Sequence, residues 1–179
     1  MQSWFEGKVV SVVGNAESIM NSSFGEEIDS AEVVVRINRG GYRFIEFPKQ
    51  MGTRLDAWCM QNVKQNKSYF DKPHTRNVHK MQMDTVEVSP HFINLVDLVY
   101  DTKECLSLSS RLSKKPSTGL RVLDYVYRAL PKMMYVYGFD WKETFSWHEK
   151  RVCIAHNFDE EKRYCESTFF SNSNCILRK

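Results

Sequence analysis

A short apolar run near the N-terminus constrains the fold more than any other feature of this sequence. The segment Lys8-Val9-Val10-Ser11-Val12-Val13 is β-branched and almost wholly apolar, and Gly14-Asn15 follows it directly. In a parallel sheet, helices cover both faces, so a central strand reads as a continuous apolar run rather than an alternating one. The run therefore predicts the first central strand of an α/β sheet, ending in a turn.

Further runs extend this prediction. Val33–Ile37 and residues 55–60 follow at the spacing of α/β crossovers and are predicted to be strands, with residues 17–29 helical in parts. Met133–Tyr137 predicts another buried strand, ending at Gly138. We expect one three-layer α/β/α domain of Rossmann-like type over residues 1–179, since this length suits one domain rather than two.

An amphipathic helix is predicted over residues 117–130. Leu120, Leu123, Tyr127 and Leu130 recur at steps of three and four residues, which places them on one helix face. Other segments give weaker indications. A helix or strand is expected near residues 92–100, a mobile loop over the serine-rich residues 107–113, a helix from residue 161 and a polar turn over residues 171–174.

Composition excludes several classes of protein. Five scattered cysteines with no CxxC pair argue against a zinc site and against a dense disulfide framework. No apolar stretch approaches the roughly 20 residues of a membrane span, and the N-terminus lacks the pattern of a signal peptide. We therefore expect a cytoplasmic protein without a membrane span.

A basic cluster stands out against the mild net charge of +3. Aromatic residues are interleaved with it, and Asp71 is the only acid among its members. The basic residues are Lys64, Lys67, Lys72, His74, Arg76, His79 and Lys80. Such a cluster most often forms a solvated face, but it could also contact a polyanion such as DNA.

Two segments are candidates for binding an anionic ligand. Gly14 and Asn15 follow the first strand, at the sheet edge where α/β proteins bind ligands, although the GxGxxG and GxxxxGK[ST] fingerprints are absent. Ser117, Thr118 and Gly119 open the predicted helix, where free amides and the helix dipole favour a phosphate. Helix capping alone explains Ser117 but not Gly119, which suggests that another group closely approaches the backbone there.

Two histidines are candidates for the chemistry. They are His148 and His156, of which one could take a proton from a hydroxyl nucleophile and the other could neutralise a departing phosphate. No DxD motif is present to hold a metal on a diphosphate. This favours a metal-free reaction on a nucleoside monophosphate sugar, with no cofactor.

Four segments together resemble the sialyltransferase family. Residues 12–40 resemble its long sialylmotif, residues 116–139 its short one, residues 147–149 (Trp-His-Glu) a shortened third motif, and residues 156–161 (HNFDEE) the very short one. Met51-Gly52-Thr53-Arg54 stands where the family has a Gly-Thr element. All occur in the family's order, which makes their combination specific.

The resemblance implies a variant of the GT-A glycosyltransferase fold, a CMP-sugar donor and metal-independent transfer to an acceptor hydroxyl with inversion. It implies that Asn15 and Asn38 bind the donor's phosphate and ribose, and that Ser117, Thr118 and Gly119 hold the nucleotide. His148 would stabilise the leaving phosphate, and His156 would be the catalytic base. In the Golgi members of the family a disulfide joins the long and short motifs. Here Val9-Val10 and Pro131 stand near the places where its two cysteines would be expected, which favours a bacterial or phage relative.

Two alternatives remain open. One is a phage enzyme that uses a different nucleotide sugar to glycosylate hydroxylated DNA bases and binds DNA through the basic cluster. The other is a non-catalytic nucleotide-binding module that keeps the fold. The sugar, the acceptor (a glycan or another hydroxyl compound), the linkage and the oligomeric state are not determined by the sequence.

Overall fold

A computed structural model describes residues 4–83, 94–150 and 154–179 of the chain. Its strands are β1 (Val9–Val13), β2 (Val33–Ile37), β3 (Ala57–Met60), β4 (His79–Gln82), β5 (Leu98–Val99), β6 (Met133–Tyr137) and β7 (Cys175–Arg178). They form one sheet in the order β5-β4-β3-β2-β1-β6-β7, and every neighbouring pair is parallel. The predicted α/β sheet is confirmed.

Strand β1 lies at the point where the strand order reverses. The chain builds β2 to β5 on one side of β1 and then returns to place β6 and β7 on the other. Val10 pairs with Val33 of β2 and with Met134 of β6, and it is fully buried. The continuous apolar run that predicted a central strand is explained by this position, and such reversal points are where open α/β sheets bind ligands.

The helices in the first half of the chain are short, and those in the second half are longer. They are α1 (Gly25–Asp29), α2 (Gly40–Arg43), α3 (Pro48–Met51), α4 (Val63–Asn66), α5 (Thr102–Ser109), α6 (Thr118–Arg128) and α7 (Phe158–Thr168). Three 3-10 turns cover Glu17–Asn21, Phe44–Glu46 and Lys67–Tyr69. None of the helices in the described ranges is both long and apolar enough to cross a bilayer.

The sheet is covered on both faces, as the predicted three layers require. Successive β1 side chains point to opposite faces. Val12 packs in one core cluster with Val126 of α6, whereas Val13 packs in another with Met51 of α3. Each face of the sheet therefore has its own apolar core.

Several predicted boundaries were wrong. The predicted loop at 107–113 begins inside α5, because Asp101 caps that helix through the amide of Lys103 and the helix continues to Ser109. The third strand begins at Ala57 rather than residue 55, and α7 begins at Phe158 rather than residue 161. Leu130, predicted on the apolar face of the long helix, is 72% exposed and lies past its end.

The remaining predictions for the second half of the chain had mixed outcomes. The polar turn at 171–174 is confirmed, but the sequence reading missed β7 after it. Of the segment predicted near residues 92–100, residues 92 and 93 lie outside the described residues. The rest contains the two-residue strand β5.

The basic cluster does not form one solvated face. Lys80 is buried in β4, and its Nζ donates hydrogen bonds to the carbonyls of Arg76 and Val78. His79 is half-buried in the same strand, and a ring nitrogen of His74 contacts the Tyr42 carbonyl. The exposed cations of the cluster are Lys64, Lys67, Lys72 and Arg76. The surface charge that remains for a polyanion is thus smaller than the sequence suggests.

Candidate active site

A cleft of about 430 Å³ opens at the carboxyl edge of the sheet, where β1, β2 and β6 end. The loop after β6, residues 138–149, and the start of α7 complete its wall. Seven of the eight predicted site residues line it: Gly14, Asn15, Asn38, Ser117, Thr118, Gly119 and His156. Residues more than 140 positions apart in sequence therefore meet around one space.

Asn15 and Asn38 are fixed by the backbone at the ends of β1 and β2. The Asn15 side-chain amide donates to the carbonyl of Ile37 at 2.9 Å. Asn38 adopts a left-handed conformation (φ 47°), and its Oδ1 accepts from the amide of Gln61 at 2.7 Å. Both side chains are thus preorganised at the wall of the cleft.

Phe139 explains two glycines that were candidates for contact with a ligand. A Cβ at Gly14 would lie 2.4 Å from the carbonyl oxygen of Gly138 and 2.7 Å from the Phe139 ring. A Cβ at Gly119 would lie 3.0 Å from the same ring. The close approach inferred at Gly119 is therefore real, but the group that approaches is a side chain of the protein.

Glu161 fixes the start of α6. Its carboxylate accepts from the Ser117 amide at 2.7 Å and from the Ser117 hydroxyl at 2.6 Å. The Ser117 oxygen in turn accepts from the Leu120 amide at 3.1 Å, so the hydroxyl's single proton is already used within the protein. Ser117 therefore acts as a helix cap, and a ligand would meet the amides of Thr118 and Gly119 instead.

Glu161 is a functional candidate that the sequence reading did not name as a site residue. It was visible as the last residue of HNFDEE, but only the fold shows that it contacts Ser117. Burial raises the pKa of Glu161, and the two hydrogen bonds from Ser117 oppose that shift. The contact joins the predicted short and very short motifs.

His156 has a defined tautomer. Its Nδ1 lies 2.7 Å from the carbonyl oxygen of Lys115. A carbonyl can only accept, so Nδ1 carries a proton and Nε2 keeps its lone pair in the neutral ring. Burial and the nearby cations, Arg121 foremost, lower the pKa of His156, while the bond to Lys115 opposes that shift. The ring at the cleft wall is therefore suited to accept a proton.

His148 is placed differently. It does not line the cleft, although its neighbour Glu149 does, and its half-buried ring packs edge-on against Trp147. Burial, with the charges of Arg39, Arg43 and Lys142, lowers the pKa of His148 to about 4, against a smaller raising effect of Glu149. At neutral pH this imidazole is uncharged, so it could assist a phosphate only as a hydrogen-bond donor.

Residues 8–83 match the family described as "Glycosyltransferase family 29 (sialyltransferase)". The predicted resemblance to the sialyltransferase family is confirmed. The match covers less than half of the chain, and it contains the predicted long motif but not the short and histidine motifs. The predicted enzyme class, a glycosyltransferase of the sialyltransferase type, is confirmed with it. No curated protein sequence matches the chain.

Solved sialyltransferase structures share the fold across nearly the whole chain. A mammalian sialyltransferase in complex with Gal-beta-1-3GalNAc-ortho-nitrophenol is 15% identical, with a TM-score of 0.69 over 97% of this chain and 70% of that one. The sialyltransferase CstII from Campylobacter jejuni, in complex with the substrate analogue CMP-3FNeuAc, is 13% identical. Its TM-score is 0.63 over 95% of this chain and 81% of that one. The similarity at this level of identity establishes the sialyltransferase fold.

Proposed function

We propose that this chain transfers a sugar, of sialic acid type by resemblance, from a CMP-sugar to the hydroxyl of an acceptor, and that it acts as one domain in the cytoplasm. The observation that carries the proposal is His156 at the cleft wall. Its Nδ1–H donates to the backbone carbonyl of Lys115, and its Nε2 keeps its lone pair in the neutral ring. The family match and the CMP analogue bound by the related Campylobacter enzyme support the choice of donor.

In the proposed reaction, His156 acts as the general base. Its Nε2 takes the proton of the acceptor hydroxyl as that oxygen bonds to the anomeric carbon of the sugar. The bond from this carbon to the phosphate oxygen breaks, and CMP leaves with the electron pair. Attack from the side opposite the leaving group inverts the anomeric centre.

The N-terminus of α6 supports binding of the phosphate. The amides of Thr118 and Gly119 belong to the first turn, which has no carbonyl partners within the helix, and the helix dipole places partial positive charge there. Both residues line the cleft that His156 also lines. A phosphate bound to these amides would lie in the same space as the base.

Metal independence is part of the proposal and rests on the sequence. The chain contains no DxD motif. Among the residues the structure describes, no group of three or more His, Cys, Asp or Glu side chains is placed to hold an ion. Stabilisation of the leaving group would then come from amides and side chains of the cleft.

Calorimetry of CMP binding in excess chelator tests the nucleotide and the metal together. We expect CMP to bind with chelator present, and incubation with a panel of CMP- and UDP-sugars to release nucleotide only from CMP-sugars, as followed by mass spectrometry. Absence of CMP binding at millimolar concentration, or turnover confined to UDP-sugars, would overturn the proposed donor. Binding that disappears with chelator would overturn metal independence alone.

A further inference from the structure

The charged side chains that line the cleft differ in how many of their hydrogen-bonding positions are already used within the protein. The lining carboxylates each have a partner: Glu161 binds Ser117, Glu149 pairs with Arg39 at 3.6 Å, and Asp140 accepts from the Ser18 and Thr144 hydroxyls. Lys142 is the one lysine or arginine among the described lining residues. The hydrogen bonds to Glu161 and Asp140 occupy these carboxylates without cancelling their charge, so Lys142 is the group of the described lining that can attract an entering anion.

Lys142 is held at the cleft by a neutral partner. Its Nζ donates to the Ser146 hydroxyl at 2.7 Å, and in the described parts of the chain it forms no ion pair. A serine hydroxyl uses only one of the three ammonium protons and neutralises none of the charge. The ammonium thus keeps two donors and its full charge for a ligand.

The loop that carries Lys142 is fixed to the end of β1. Ser146 forms an antiparallel bridge with Ala16, and the amide of Trp147 donates to the carbonyl of Asn15 at 3.1 Å. The Lys142 amide is itself bound by Asp140 at 3.1 Å. These contacts hold the ammonium's partner, Ser146, beside the Asn15 end of the cleft.

We propose that Lys142, positioned by Ser146, binds the phosphate of the nucleotide-sugar donor and stabilises the charge that develops on it as CMP leaves. This inference rests on the proposed function and assigns the leaving-group charge to Lys142 rather than to His148. A compact ammonium suits a single phosphate, for which geometric matching matters less than charge. His148, outside the cleft lining and uncharged at neutral pH, then supports the loop.

The test compares CMP with cytidine, which lacks the phosphate, by calorimetry. Lys142→Met keeps an unbranched side chain that is one atom shorter and, like lysine, has no special preference for or against the positive φ of 69° at this position, but it removes the charge. We expect it to weaken CMP binding about tenfold, the worth of one charge-assisted contact, and to leave cytidine binding unchanged. Lys142→Arg should retain most of the CMP affinity, and the affinity difference should shrink at high salt.

Lys132→Met is the matched control. Lys132 is exposed and precedes β6, at the sheet edge opposite the cleft, so its removal changes net charge equally without touching the site. Unchanged CMP affinity in Lys142→Met, or equal losses for CMP and cytidine, would overturn the role of Lys142 while leaving the proposed function intact. If the wild-type chain bound neither ligand, the proposed function would fail first, and this role with it.

Discussion

At the scale of single residues, the tautomer of His156 determines what the ring can do. Because Lys115 holds the Nδ1 proton, the ring presents an acceptor rather than a donor when it is neutral. A base of this kind works only when it is deprotonated, and burial lowers the pKa of His156 from its ordinary value of 6.5. The environment thus favours the active form at neutral pH.

This makes a prediction for the pH dependence of transfer. The fraction of unprotonated His156 falls as the pH drops through its lowered pKa, so kcat should decline only below about pH 6.5 on the acid side. Steady-state rates between pH 4.5 and 8 measure this, with circular dichroism to show that the chain stays folded. An acid limb centred above pH 7 would contradict the assignment.

At the scale of elements, the contact between α6 and α7 links two predicted motifs. The Ser117 amide and hydroxyl both donate to Glu161, whose side chain is buried. Removing the carboxylate would leave the Ser117 amide without its acceptor at a part-buried helix start, which costs more than the loss of an exposed bond. The start of α6, and with it the amides of Thr118 and Gly119, depends on this contact.

Glu161→Ala is therefore expected to lower the free energy of unfolding by about 1–3 kcal/mol and to weaken CMP binding. Urea denaturation and calorimetry measure the two effects. The matched control is Glu166→Ala on the same helix, where the side chain is exposed, and it should change neither property. Equal effects of the two variants would show that Glu161 does not organise the site.

The elements differ in how far the sequence could predict them. β1 and α6 were predictable because each carries a pattern that its burial requires, a continuous apolar run for β1 and a three-to-four-residue repeat for α6. β4 and β7 were missed because they contain residues such as Lys80 and Arg178, which look exposed in sequence. Lys80 is accommodated in β4 by carbonyl oxygens that only the fold brings near it.

At the scale of the whole molecule, the order of the strands creates the cleft. β1 lies between β2 and β6, and the loops that follow these three strands diverge around the same space. The sequence could place Gly14, Asn15 and Ser117 at strand ends and a helix start, and so at one edge of the sheet. It could not show that Phe139 packs against both glycines or that the Ser117 hydroxyl donates a hydrogen bond to Glu161, because these contacts join distant segments.

The same comparison separates the two histidines. From the residues alone both were candidates for the same chemistry, and only the resemblance to the family's motifs gave them different roles. The fold places His156 at the cleft with its Nδ1 bonded to a backbone carbonyl, whereas His148 does not line the cleft and its pKa is lowered by burial and by the charges of Arg39, Arg43 and Lys142. The catalytic role of His156 and the supporting role of His148 are proposals. They are distinguished by the loss of transfer activity expected when each histidine is replaced.

The most direct test of the account is His156→Ala, assayed both for transfer from a CMP-sugar and for binding of CMP. Loss of a general base should lower kcat by about 10²–10⁴-fold, while CMP affinity stays within about twofold of wild type. His148→Ala serves as the comparison and should retain far more activity. Undiminished turnover in His156→Ala, with the protein folded and CMP bound, would contradict the central claim.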